Sequence, residues 1–410
     1  MRMTGKTIYV SAIVPIYRAS AYLRRCLDSC IYQTMAEIEV IIVNDCSPDL
    51  RDDEIALEYK EQYPDKVVYI KNDKNLGSGG ARNKGILAAR GEYFICIDAD
   101  DYVDLNICRF MYQRAAQEKA DMVICGYHFL KNGKVESYGA NETHISVMAA
   151  TKLFRRKLFV ENKLFFPEQL LCEDYITIVW HFASTKTVCV DAPLYYYVYR
   201  DDSRNNRDSS ALLNDVVSVF ANILKMEYFA VTCSKSVKSD ILRHLLTFTI
   251  DLLLKRSSND MDLEHEIERI KEAMNRYGCF DYLEDGGYLE KRNLEILRTE
   301  KSRTKTAIDE ITINLTLEEF SAYRQNRIIL WGCGRQGRRL AQRLHMADIR
   351  FECVDSNPKL SGDYLYGNRI NTPSCIALYE TDTILLSVKG RFEEIKKQIG
   401  VGCVILDKSD

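Results

Sequence analysis

Four short apolar runs in the first hundred residues each break off in polar side chains, and helical stretches separate them. The runs are Tyr9–Ile16, Val40–Asn44, Val67–Lys71 and Tyr93–Ile97, all rich in Val, Ile or Tyr and of strand length. Tyr22–Gln33, Asp53–Tyr63 and Gly79–Arg90 between them carry helical periodicity. Strand alternating with helix predicts βαβ units, hence an α/β domain with a largely parallel sheet and helices on both faces. In such sheets ligands bind at the carboxyl ends of the strands. Those ends are Tyr17-Arg18, Asn44-Asp45, Asn72-Asp73 and Asp98-Ala99-Asp100-Asp101, and they are expected to converge on one crevice.

The chain has 410 residues, enough for two or three domains. With 46% hydrophobic and 28% charged residues it is not an intrinsically disordered chain. Its 56 Lys and Arg against 59 Asp and Glu leave a net charge of −3, which argues against a broad electrostatic grip on nucleic acid. The 14 cysteines are scattered and form no Cys-x-x-Cys pair; Cys26 and Cys30 fit one helix face. They read as reduced, mostly buried thiols of a cytosolic protein. The start, MRMTGKTIYVSAIVPIY, lacks the long apolar stretch of a secretion signal. No run approaches the roughly 18 apolar residues of a membrane span. The expectation is a cytoplasmic protein, with any membrane contact peripheral and at the inner face.

Three regions differ in texture. Residues 1–200 carry the strand–helix alternation, 201–325 read as a helical connector or bundle, and 326–410 as a small Rossmann-like α/β domain. The middle region opens with a polar loop, Asp201–Ser210. Helical patterns follow over Ala211–Val231, Val237–Arg256, Met261–Tyr277 and the strongly charged Tyr288–Lys305, whose charge fits a solvated helix face.

The segment GEYFICIDADDYVD delivers Asp98, Asp100 and Asp101 together at a strand end. Carboxylates so crowded repel one another, and a divalent cation relieves this; hard Asp oxygens suit Mg²⁺ or Mn²⁺. Asp98 and Asp100, two apart, can point the same way in extended backbone. A cation with so few protein ligands keeps positions that a diphosphate can fill. The alternative is an acidic turn capping the next helix.

Context favours the cation. VSAIVPIYRASAYLRRCLDSCIYQT, EVIIVNDCSPD and NDKNLGSGGARNKGILAARGEYFICIDADD, in that order, resemble family 2 of the inverting glycosyltransferases. These are enzymes of the GT-A fold that use nucleotide-diphosphate sugars. The resemblance covers roughly residues 8–200 and does not specify the sugar. It implies that Pro15 and Tyr17 lie along the nucleotide and that Asp45 contacts the base, typically uracil. A carboxylate can accept from the uracil N3–H. Asp73, Gly77, Ala81 and Arg82 match the segment bordering the nucleotide. Gly77, Gly79 and Gly80 permit close backbone approach, and Arg82 engages a phosphate or braces the acidic strand tips. Asp98 is then placed near the ribose and Asp100 on the metal. Two positions depart from the family pattern: Arg18 stands where Asn is usual and Cys46 where Gly is usual. Arg18 adds a phosphate contact or faces solvent, and Cys46 implies a loop without positive φ.

Downstream, Glu173-Asp174 opens an apolar helical stretch after Phe165–Leu171. The resemblance assigns Asp174 as general base and Glu173 to orienting a neighbour or binding acceptor hydroxyls. The alternative is an acidic pair favoured at a helix N-terminus. The implied mechanism is single displacement with inversion: Asp174 takes the acceptor hydroxyl's proton while metal and nearby donors stabilise the leaving diphosphate. His128, His144 and His181 read as structural or acceptor-side. The cluster Tyr195–Arg200 reads first as a buried strand, with sugar stacking as the other reading. By resemblance, Arg200 and the loop after it close over donor phosphate.

Arg327–Trp331 runs into GCGRQG and a basic helix, with strands Phe351–Val354 and Thr383–Val388 to follow. Gly332, Gly334 and Gly337 with Asp355 match a dinucleotide fingerprint in strand–turn–helix–strand context. The unit resembles Rossmann-like modules of bacterial polysaccharide-biosynthesis enzymes. A dinucleotide there is one expectation; an assembly or packing role is the other.

The leading expectation is a metal-dependent inverting hexosyltransferase moving a sugar, from a UDP-sugar, to a hydroxyl on a saccharide or lipid-linked acceptor in bacterial cell-surface polysaccharide or glycolipid synthesis. Two alternatives compete: a silent nucleotide-binding scaffold, and an NAD-binding oxidoreductase centred on the C-terminal unit. A homo-oligomer stays open.

Overall fold

The computed structural model describes residues 7–140, 145–200, 209–256, 260–283, 288–298, 326–333, 335–357, 360–375, 382–387 and 404–407, with 316, 318–320, 323, 378 and 395 between them. The loop 201–208, His144, Gly334 and residues 299–305 of the charged helix lie outside these. The chain divides into two compact units, Met1–Gly286 and Gly287–Asp410.

In the first unit, β1 (Val10–Ile16), β2 (Ile38–Asn44), β3 (Val67–Lys71) and β4 (Tyr93–Cys96) are joined by α1 (Ser20–Ile31), α2 (Leu50–Gln62) and α3 (Gly77–Ala88). They pair in parallel in the order β3-β2-β1-β4. Strand β2, IEVIIVN, is buried at every position, as a central strand covered on both faces must be. Its neighbour β1 packs Val10, Ala12 and Val14 into one core with Leu23, Cys26 and Leu27 of α1.

The sheet does not stay parallel. Beyond β4 come β8 (Lys152–Arg155), β6 (Met122–Lys131), β9 (Thr187–Val198) and the short β5 (Tyr102–Val103), with β7 (Lys134–Tyr138) paired to β6; α4 (Ile107–Glu118), α5 (Arg156–Glu161) and α6 (Ile176–Ala183) fall along this stretch of chain. β4–β8, β8–β6, β6–β7 and β5–β9 are antiparallel; β6–β9 is parallel. The sheet is therefore mixed rather than largely parallel. Antiparallel neighbours need no crossover helix, so strand–helix alternation cannot announce them. The tyrosine-rich Tyr195–Val198 does lie in a strand, β9.

The middle region, 201–325, divides between the two units. Helices α7 (Ser209–Lys225), α8 (Lys235–Arg256) and α9 (Asp260–Arg276) belong to the first unit. Asp215 of α7 accepts from the backbone N–H of Leu171, and Tyr175 donates to the Phe248 carbonyl of α8. The apolar faces of these helices bury Val216, Phe220, Leu245 and Leu246. No helix among the described residues is long and apolar enough to cross a membrane.

The second unit holds α10 (Tyr288–Arg298), β10 (Ile328–Trp331), α11 (Arg335–Met346) and β11 (Phe351–Val354). After them come β12 (Tyr364–Leu365), β13 (Asn368–Asn371), β14 (Thr383–Leu386) and β15 (Val404–Asp407). Its strands run β12-β13-β11-β10-β14-β15, all parallel except β12–β13. Leu330 and Cys353 face the core under α11, while Ile329, Trp331 and Val354 face a second core on the other side.

Candidate active site

One guanidinium gathers three carboxylates from distant parts of the chain. Arg82 of α3 is 4% exposed. It donates through Nη2 to Asp98 at 2.7 Å, and through Nη1 to Glu173 at 2.8 Å and Asp174 at 2.8 Å. Its guanidinium also lies 5.2 Å from the centre of the Phe166 ring. Ser78 adds a hydrogen bond to Glu173. Sequence reading offered Arg82 a phosphate or the acidic tips; the structure puts it on the tips.

Local sequence explains how the segment carrying Glu173 and Asp174 comes so close. Leu76 receives the Gln169 N–H at its carbonyl, at 2.9 Å. A Cβ on Gly79 would stand 2.2 Å from the Pro167 carbonyl oxygen, and one on Gly77 (φ +76°) 2.9 Å from the Gln169 nitrogen. These glycines do permit close approach, but the backbone that approaches is residues 167–169 of the same chain. Asn83 seals the contact by exchanging hydrogen bonds with the Phe166 backbone, both at 2.9 Å.

Asp174 stands on a single 3₁₀ turn, Glu173–Tyr175, that runs into α6 (Ile176–Ala183). Its Oδ2 accepts from the backbone N–H of Ala149 at 3.2 Å. Burial raises its pKa to about 6, against the lowering effect of Arg82 and with help from Glu173 and Asp98. A carboxylate so poised is a base at neutral pH and an acid just below it.

The other acids at the tip of β4 are held differently. Asp100 forms an ion pair with Arg200, and its carbonyl accepts from Arg25 at 2.7 Å. Burial, then the charge of Asp98, raises the Asp100 pKa, and Arg200 works against them. Asp101 is spent on structure: Tyr195 donates to it at 2.6 Å and the Val198 N–H at 2.7 Å. Arg25 and Arg200 stack over Tyr102 and Tyr22, each 4.8 Å from the ring centre.

Asp45, at the end of β2, is 3% exposed. Both hydrogen bonds to its carboxylate, from Asn72 at 2.9 Å and the Leu76 N–H at 2.8 Å, fall on Oδ1. Leu76 thus links Asp45 to the strap before Glu173. Asp73 is exposed, Tyr17 is half-buried on the turn after β1, and Pro15 lies within β1. Cys46 corrects an expectation: its φ is +56°, and Arg18 stands at +52°. Both departures from the family pattern occupy left-handed backbone, where Gly and Asn sit at least cost. The strain is tolerated because the two loops are tied together, the Arg18 N–H to Ser47 and the Ser47 N–H to Asn44.

In the second unit Gly332 has φ +102°, and a Cβ on Gly337 would stand 1.8 Å from the Gly332 carbonyl, so this turn is tight. Asp355 accepts from the Cys333 N–H at 2.6 Å and the Asn357 N–H at 2.7 Å, one on each oxygen.

Sequence reading missed Ser78, Ala149, Thr151 and Lys152. A lysine inside the apolar run Ala149–Phe154 was the available signal.

Residues 11–175 match glycosyl transferase family 2. Residues 324–406 match a second family, C2185-like, N-terminal. Among relatives, the chain is 35% identical over 214 residues to a putative glycosyltransferase EpsH of Bacillus subtilis, covering 47% of this chain and 61% of that protein. It is 28% identical over 287 residues to the uncharacterized glycosyltransferase EpsJ of the same organism, covering 64% and 83%. It matches 33% of the length of a poly(ribitol-phosphate) beta-glucosyltransferase of Bacillus spizizenii, at 29% identity over 210 residues and 48% of this chain. Among solved structures, S. aureus TarS 1-349 in complex with UDP-GlcNAc aligns at a TM-score of 0.51 and 19% identity, over 77% of this chain and 92% of that one. The fold of the first unit is of the GT-A type.

Proposed function

We propose that the chain is a metal-dependent, inverting glycosyltransferase that moves a sugar from a nucleotide-diphosphate donor to a hydroxyl in cell-surface polysaccharide or glycolipid synthesis. The observation that carries this is the meeting of Asp98, Glu173 and Asp174 on Arg82, beside Asp100, at the carboxyl edge of the sheet. The family match and the names of the relatives support the reaction class; the UDP-GlcNAc bound by TarS supports a UDP-sugar as donor.

In this reading Asp45 meets the base through Oδ2, with Pro15, Tyr17, Asp73 and Gly77 bordering the nucleotide and Asp98 near the ribose. The residues present fit a hard divalent cation at Asp100. Its carboxylate is disfavoured by burial and by Asp98, so added positive charge there is favourable. Among the described residues no group of three or more His, Cys, Asp or Glu side chains could hold a metal ion by itself, so diphosphate oxygens would complete the shell. When bound, Mn²⁺ or Mg²⁺ would stabilise charge on the leaving diphosphate. Arg200, paired with Asp100 in the chain alone, is placed to turn to a phosphate oxygen instead. Asp174 takes the acceptor proton at its carboxylate, and Arg82 holds that carboxylate toward the sugar. Glu173, fixed by Ser78 and Arg82, positions the turn and binds an acceptor hydroxyl.

In the second unit each Asp355 oxygen accepts one backbone N–H and keeps a further acceptor site, so a dinucleotide ribose and an assembly role both stand as readings there.

The test is UDP release from a panel of UDP-sugars with Mn²⁺. Release is expected from the chain and lost in Asp100→Ala. Equal release from Asp100→Ala would remove the metal site from the proposal.

A further inference from the structure

Lys152 is a buried charge that nothing above uses. It opens β8 within an apolar stretch and is 1% exposed. Burying an ammonium is costly unless it is well partnered, so a sequence that keeps one there has a use for it. Burial lowers its pKa to about 8, with Asp174 and Cys125 opposing the fall, so it stays charged at neutral pH.

Its hydrogen bond shows the use. The Lys152 ammonium donates to the carbonyl of Met148. Thr151 donates to the same carbonyl at 3.2 Å. The peptide unit that carries this carbonyl has, as its other end, the N–H of Ala149, and that N–H donates to Asp174 Oδ2. Two side chains therefore grip one end of a single peptide plane whose other end holds the carboxylate. A peptide is rigid and planar, so fixing its oxygen fixes the direction of its N–H. A cation on the oxygen also polarises the amide and strengthens the N–H as a donor.

We infer that Lys152 is a positioning residue for Asp174, acting through the Met148–Ala149 peptide, with Thr151 as its auxiliary. The inference rests on Asp174 being the base only for its catalytic consequence; the structural claim stands apart from that. The charged groups facing Asp174 are Arg82 from α3, Glu173 from its own turn and Asp98 from the tip of β4; those facing Lys152 are Asp174, Cys125 of β6 and His181 of α6. Burial lowers the His181 pKa to about 4, so it adds no charge at neutral pH. Loss of the Lys152 grip weakens the N–H donated to the ionised carboxylate, so the Asp174 pKa rises.

The test uses the full chain labelled with ¹⁵N-alanine and follows the Ala149 amide against pH, its titrating signal assigned by its loss in Asp174→Asn. The midpoint is expected to move up by about half a unit or more in Lys152→Met, and by less in Thr151→Val. Thr151→Val carries the test alone if Lys152→Met does not fold. An unmoved midpoint in the folded variants overturns the inference. UDP release measured against pH separates the two proposals. If its acidic limb moves with the amide, both stand. If the amide midpoint moves and the limb does not, Lys152 still positions Asp174, but Asp174 is not the base.

Discussion

Two sheets in this chain each end a parallel strand in an acidic residue beside a glycine-rich turn, and they spend that acid differently. At the first, Asp98 and Asp174 lean on the side-chain guanidinium of Arg82, and Asp100 on Arg200. At the second, Asp355 accepts only from the backbone, one N–H on each oxygen, from Cys333 and Asn357. A side-chain partner can turn away to a ligand, whereas a backbone partner belongs to the turn itself. The same pattern of strand, glycines and acid thus yields an available charge in one unit and a structural cap in the other.

The largest effect is expected from removing the shared cation. Arg82→Met leaves three carboxylates around an empty centre and should cost about 3 kcal/mol of stability in denaturant unfolding, since breaking a buried ion pair strands its partners. A loss under about 1 kcal/mol would show that Arg82 is not what holds the acids together. A smaller effect sharpens the other side. Asp355→Asn should cost about 1 kcal/mol through the weakened turn, and leave UDP release unchanged. A fall in release would break the separation between the units. Smallest is the turn after β2: Cys46→Gly relieves left-handed strain and should stabilise by up to about 1 kcal/mol, read as a higher melting temperature. A lower one would contradict the backbone assignment there.

Much of this was legible because it obeys local rules. β3 has the bounds its sequence predicts, Val67–Lys71, and β1, β2 and β4 differ from prediction only at their ends. The acids stand at strand ends because a buried strand must stop where polar residues begin. What stayed hidden depends on contacts between distant segments. The antiparallel half of the sheet is set by pairings such as β6 with β8 and β7, which leave no helical punctuation. Gly79 signalled a close approach but not of what; Pro167 is the answer. Lys152 stood out as a lysine in an apolar run, but its role did not, because it acts through a backbone amide, which has no letter in the sequence.

The most direct measurement is UDP release as a function of pH for the chain and for Asp174→Asn. With Asp174 as base and its pKa near 6, the rate should climb as pH rises through that value, level off above it, and fall about 10²- to 10⁴-fold in Asp174→Asn with donor KM unchanged. A rate flat across that range, or kept in Asp174→Asn, would contradict the account.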